Sequence, residues 1–141
     1  MKDNWLELIS SEIRSNVYAL VAIFVTILVL HPVLSGDWVN WDDPIYVLQN
    51  NFIHDFSFSG LLELFNPANR VLDTYTPLTL VSFAIDYRLA QDSPYWYHAV
   101  NLILHLINVY LVYKFTIQIS KRKEVAFFVS VLFGIHPLHV E

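Results

Sequence analysis

No charged side chain occurs between Ser15 and Gly36, and Val17 through Leu30 is almost pure hydrocarbon. That stretch restricts the possible folds more than any other. About 20 apolar residues rising 1.5 Å each match a ~30 Å hydrocarbon core, so a transmembrane helix is predicted over residues 15–36. A cleaved signal peptide is the competing reading, but the run is long and no small-x-small cleavage site follows it cleanly. Composition agrees: 55% of residues are hydrophobic and 15% charged, against about 25% charged in soluble domains. The net charge of −5 disfavours a nucleic-acid partner, which requires a basic patch. The lack of cysteine excludes disulfides, thiolate zinc sites and a thiol nucleophile.

The remaining segments follow from charge and proline. Residues 1–14 mix Lys2, Glu7, Glu12 and Arg14 with Trp5, Leu6, Leu8 and Ile9, a pattern expected of a short interfacial helix. Residues 37–94 are acidic: Asp37, Asp42, Asp43, Asp55, Glu63, Asp73, Asp86 and Asp92 face only Arg70 and Arg88. Punctuated by Pro44, Pro67 and Pro77, that segment cannot be a span. Within it, short helices are expected at about 59–66, capped by Ser59, and at 77–90, opened by Pro77. In the latter, Thr79, Ser82 and Asp86 define one polar stripe, and the rest is apolar, as for a helix lying in a membrane interface. A second span covers 95–118, entered through Tyr95, Trp96 and Tyr97. Lys121, Arg122 and Lys123 lie in the loop 119–124, and a third apolar segment occupies 125–141. The positive-inside rule puts both basic flanks in the cytoplasm and the acidic loop outside. The fold class is thus an all-α polytopic membrane protein with three transmembrane segments and a long outer loop carrying interfacial helices.

Two groups of polar residues need a purpose. His98, Asn101, His105 and Asn108 fall at steps of three and four, on one face of the second span. At membrane depth such groups are costly unless satisfied, so they face protein or a wet cavity; hydrogen bonding between helices is the plainer of these roles. From the basic loop, Val125–Ile135 climbs about 16 Å, and His105 lies roughly 20 Å from the same face, which sets His105 and His136 at similar depths. His136, His139 and Glu141 also suit a divalent metal, although their spacing fits the helical His-Glu-x-x-His pattern poorly. The second group is the carboxylate pair Asp42 and Asp43, set between Trp41 and Pro44. Pro44 favours extended backbone at Asp43, which keeps the pair out of a regular helix. A solvated turn is the bland alternative.

Four motifs in order resemble those of the C-type membrane glycosyltransferases. Asn40-Trp41-Asp42-Asp43-Pro44 resembles their aspartate-pair motif, and Tyr75-Thr76-Pro77-Leu78-Thr79 resembles Tyr-Arg-Pro-Leu-Thr. Tyr97-His98 with Asn101, Leu104 and His105 resembles Tyr-His-x-x-Asn-x-x-Leu-His. Phe133-Gly134-Ile135-His136-Pro137-Leu138-His139-Val140-Glu141 resembles Phe-Ala-x-His-Pro-x-His-x-Glu. The pattern is most similar to the membrane half of O-mannosyltransferase-like proteins that carry tetratricopeptide repeats. The resemblance implies a polyprenyl-phosphate sugar donor, a protein or glycan acceptor, and transfer outside the cytoplasm at a bacterial inner membrane or the ER. It casts Asp42 or Asp43 as general base, and His98, Asn101, His105, His136, His139 and Glu141 as substrate-binding residues, with no cofactor required. Thr76 replaces the family's arginine, a loss that Arg70 or Arg88 would have to make good. The resemblance also implies that further spans follow residue 141 and that this portion alone is inactive. The alternatives are a non-catalytic membrane assembly protein, and a small metal-handling transporter.

Overall fold

The computed structural model describes the backbone of residues 3–137 and the side chains of residues 16–137. It forms two units: the described residues of Met1–Leu34 with Ala99–Glu141, and Ser35–His98. Both are helical, and among the described residues only an isolated bridge, Val71 to Thr74, has β geometry.

In the first unit, α1 runs unbroken through Asp3–Leu30, where a separate interfacial helix had been expected to end near residue 14. With neither proline nor glycine before His31, nothing interrupts it. Its end has a local cause. The Leu28 carbonyl would take its hydrogen bond from residue 32, but Pro32 has no N–H. The His31 Nδ1 lies 2.9 Å from that carbonyl and supplies the donor, and the chain tightens into a 3₁₀ turn at His31–Ser35. α5 spans Pro94–Ser120 and α6 spans Lys123–Ile135. Two stretches, Asn16–Ser35 and Pro94–Ser120, are long and apolar enough to cross a membrane. At 13 residues, α6 rises about 20 Å, short of a ~30 Å core, so the described residues provide two candidate spans where three had been expected.

Small side chains bring these helices together. Ala126, Ser130 and Gly134 recur every fourth residue along α6, and Ala19, Ala22 and Thr26 line α1; all are buried. A Cβ added at Gly134 would lie 2.2 Å from Thr26 Oγ1 and 3.1 Å from Val109 Cγ2, so three helices meet at one hydrogen atom. Such small-residue seams are the usual means of close helix approach in lipid, where burying apolar area gains nothing. Tyr113 closes the other end against Ala19 and Ala126, and Lys123 sits 5.4 Å over the Tyr18 ring. These contacts make α1 and α6 parallel, with α5 antiparallel to both.

The second unit holds a five-residue π-helix, Pro44–Leu48, followed by α2 (Asn51–His54), α3 (Phe58–Glu63) and α4 (Pro77–Ala90). Its core is Val47, Ile53, Leu64, Val71, Leu80, Ala84 and Tyr97. The cap of α3 is Ser57, whose hydroxyl accepts from the Gly60 N–H at 3.0 Å, and not Ser59. Gly60 is obligatory, because a Cβ there would lie 2.3 Å from the Asp55 carbonyl. α4 also departs from its expected stripe. Thr79 and Ser82 are exposed, but Asp86 is buried. Leu80, Ala84 and Tyr87 face the core, which leaves Leu78, Ile85 and Leu89 exposed along the outer side.

Candidate functional site

The aspartate pair sits at the entrance to the π-helix. Asp43 has φ −54° and ψ −43°, helical rather than the extended backbone expected before proline. Local hydrogen bonds override that preference. Asp43 Oδ2 accepts the Val39 N–H at 2.9 Å, and the Asp42 carbonyl accepts from Ile45 and Tyr46 at 3.0 and 2.9 Å. The two carboxylates therefore differ. Asp43 is half-buried with one oxygen committed, whereas Asp42 is exposed and its carboxylate has no partner among the described residues. π-Turns of this kind concentrate at functional sites.

Three of the four motifs meet within this unit. The Trp38 ring packs edge-on to Tyr97 at 5.0 Å, and its Nε1–H donates to the Asp92 carbonyl at 3.1 Å. Phe83 lies 6.1 Å from Tyr97 and 6.4 Å from Tyr46. The segment just before the aspartate pair, the helix of the Tyr-Thr-Pro motif and the Tyr97-His98 step thus share one aromatic cluster. Two buried polar atoms of this unit have no hydrogen-bond partner among the described residues: Thr76 Oγ1 and His98 Nε2. An unsatisfied buried group is rare in a folded protein and calls for a reason.

The other expected site residues are scattered. His105 Nε2 lies 2.9 Å from the Gly134 carbonyl, and its ring stacks on Phe133 at 5.6 Å. It joins α5 to α6 two residues before His136, an interhelical bond of the kind anticipated. Asn101, Asn108 and His136 are exposed. His139 and Glu141 lie outside the described residues, and with them most of the suggested metal set; among the described residues no three metal-ligating side chains converge.

The two arginines part company. Arg88 borders a small pocket of about 90 Å³ with His54 and Tyr87, whose rings stack at 4.0 Å. Arg70 lines a larger groove of about 470 Å³ with Ile45, Gln49, Asn51, Phe52 and Leu72. Its Nε–H donates to the Pro67 carbonyl at 3.2 Å, which leaves the outer guanidinium nitrogens for a ligand. No local signal announced this groove. Its far wall is a tight turn in which Val71 and Thr74 exchange backbone hydrogen bonds while Leu72 and Asp73 adopt φ of 48° and 60°. Such a turn favours Asn-Gly, so a Leu-Asp pair gave no warning of it. Tyr46 holds it, its hydroxyl 2.7 Å from Thr74 Oγ1.

Burial also separates the titrating groups of the unit. Desolvation pushes Asp86 above the usual carboxylate range, opposed by the Trp96 Nε1–H bond at 2.9 Å. Asp55 is held below that range by its bonds from the Ser57 hydroxyl and backbone N–H.

Comparison with known proteins finds similarity to several curated glycosyltransferases. The chain is 30% identical over 122 residues to the human (Homo sapiens) protein O-mannosyl-transferase TMTC1, covering 77% of this chain and 13% of that protein. It is 29% identical over 133 residues to a protein O-mannosyl-transferase of Caenorhabditis elegans, covering 86% and 19%. To human protein O-mannosyl-transferase TMTC3 it is 31% identical over 98 residues, covering 70% and 10%. The chain therefore spans less than a fifth of the length of these relatives. No family model matches it, and no solved structure does.

Proposed function

The chain belongs to the protein O-mannosyl-transferase family of these relatives, and on that premise we propose that it contributes the general base to sugar transfer from a polyprenyl-phosphate donor to a protein hydroxyl. Asp42 is the base. Its carboxylate takes the proton of an acceptor serine or threonine as the oxygen attacks the anomeric carbon. The bond from that carbon to the phosphate oxygen breaks, and polyprenyl phosphate leaves with the electron pair.

The asymmetry of the pair carries this reading. Asp43 is spent on the Val39 N–H, and a base must be free to reach its proton. Asp43 positions the turn. His98, in the same unit and with a buried unsatisfied Nε2, has a hydrogen bond to give to substrate. The basic cluster Lys121–Lys123 supports a cytoplasmic N-terminus and an extracytoplasmic Asp42, in a bacterial inner membrane or the ER. The outward line of Leu78, Ile85 and Leu89 supports a resting place for α4 on the bilayer.

The test is sugar transfer from polyprenyl-phosphate mannose by the intact protein in membranes. Asp42→Asn is expected to lower transfer by about 10²–10⁴-fold with insertion unchanged. Asp43→Asn keeps an acceptor for Val39 and is expected to lose less. Full activity in Asp42→Asn would remove Asp42 from the mechanism, and full activity in both variants would favour a non-catalytic, assembly role for this loop.

A further inference from the structure

The groove beside the aspartate pair does not follow from any of the four motifs. We infer that it binds the acceptor: an extended polypeptide segment carrying a carboxylate, which pairs with Arg70 while its hydroxyl residue reaches Asp42. This rests on the transferase reading above and adds the substrate feature that reading lacks.

Position comes first. Ile45 forms one wall, and its N–H is bonded to the Asp42 carbonyl at 3.0 Å, so the groove begins one turn from the proposed base. An extended residue advances about 3.3 Å, so a hydroxyl within a few residues of a segment held here reaches Asp42.

Chemistry comes second. Gln49 and Asn51 are exposed amides, each able to donate to and accept from a peptide backbone. Ile45, Phe52 and Leu72 are 41%, 41% and 48% exposed on the same walls and offer apolar seats for side chains. Asn50 is not available for this, because its amide already accepts from Phe52 N and donates to the Tyr46 carbonyl.

Charge comes third and selects the occupant. The unit carries eight carboxylates against Arg70 and Arg88, yet among the described residues no carboxylate lines this groove and a guanidinium does. Screening over about 8 Å at physiological salt weakens the distant acidic background, while a bidentate Arg–carboxylate contact inside the groove persists. The wall is also built at a cost. Leu72, bulky and half exposed, is held at φ 48° by Tyr46 and Thr74. Strain of this sort persists where surrounding structure enforces it, and it gathers at ligand clamps.

Two readouts test the inference. The first is binding of a fluorescent peptide with one threonine and one glutamate, and of its glutamine twin, to the intact protein in nanodiscs. The second is the KM for each peptide in the transfer assay. The glutamate peptide is expected to bind about fivefold tighter than its twin, the size of a well-placed ion pair. Arg70→Gln is expected to erase that preference by raising the KM of the glutamate peptide to that of its twin. Arg70→Glu is expected to reverse it in favour of a lysine peptide, which also shows that the variant is folded. Transfer by the wild type with no glutamate preference, or with none that Arg70 governs, overturns the groove and leaves the transferase reading standing. Arg70-dependent binding of the acidic peptide without transfer sustains the groove and sinks the transferase reading. A rise in the donor's KM in Arg70→Gln, with the peptide's unmoved, gives the groove to the lipid phosphate and overturns the inference.

Discussion

Replacing Gly134 by alanine adds one methyl group where three helices converge. The new Cβ would lie 2.2 Å from Thr26 Oγ1, 3.3 Å from Thr26 Cβ and 3.1 Å from Val109 Cγ2. Ordinary contact starts near 3.4 Å, so α1 or α6 must move by roughly 1 Å. Rotating Thr26 away sacrifices its 2.9 Å bond to the Ala22 carbonyl and still leaves its Cβ too close. Overpacking costs about 1–3 kcal/mol, and the better helix propensity of alanine returns at most ~1 kcal/mol, less near a helix end. A net loss of about 1–2 kcal/mol is expected. The assay is reversible unfolding in mixed micelles, followed by tryptophan fluorescence. Thr26→Ala removes the 2.2 Å contact, so the double variant is expected to regain most of the loss, a coupling of about 1 kcal/mol. A Gly134→Ala protein as stable as the wild type, or one that Thr26→Ala fails to rescue, refutes the close seam between α1 and α6.

Three further outcomes follow from the second unit. Because burial raises the Asp86 carboxyl above its ordinary value, its protonated form is favoured on folding. Its contribution is therefore fully present below the unfolded value of 3.8 and is lost as pH rises through the folded one. Asp86→Asn still accepts from Trp96, so it is expected to stabilise at neutral pH and to make no difference in acid; thermal unfolding across pH decides. Leu72→Asn suits positive φ and is expected to raise stability by about 0.5–1 kcal/mol while weakening peptide binding in the groove. Ser57→Ala removes the α3 cap, at a cost of about 1 kcal/mol, and takes the hydroxyl's bond from Asp55 while the backbone N–H bond at 3.0 Å stays. The stability that Asp55 contributes above its unfolded value, and surrenders as pH falls through the lowered folded one, should then shrink in the acid limb of the profile, the part owed to the backbone N–H remaining.

Periodicity and charge made the helices legible in the sequence. The apolar run before His31 and the uncharged stretch after Pro94 correspond to helices long enough to span, and Pro77 opens α4 as its fixed φ requires. The expectation that failed at Asp43 shows the limit of local rules. A pre-proline preference of modest size yields to three hydrogen bonds that no dipeptide can foresee. The Ser57 cap was missed for a similar reason: Ser57 and Ser59 look alike in sequence, and only the turn through Asp55 decides which reaches Gly60. The stripe in α4 failed because Asp86 has a partner ten residues away in Trp96.

Hydrocarbon content and spacing, summed over many residues, are enough to dictate which segments are helical and which are apolar enough to enter a bilayer, because solvation acts on each residue wherever the others lie. The unlike roles of Asp42 and Asp43, the seam around Gly134 and the groove beside Arg70 depend on which particular groups meet, four residues apart in the first case and far apart in the chain in the other two. Val39 with Asp43, Thr26 with Gly134, and Ile45 with Leu72 become neighbours only when packing excludes every other arrangement, and hydrogen bonds and steric contacts at 2–4 Å exist only once it has.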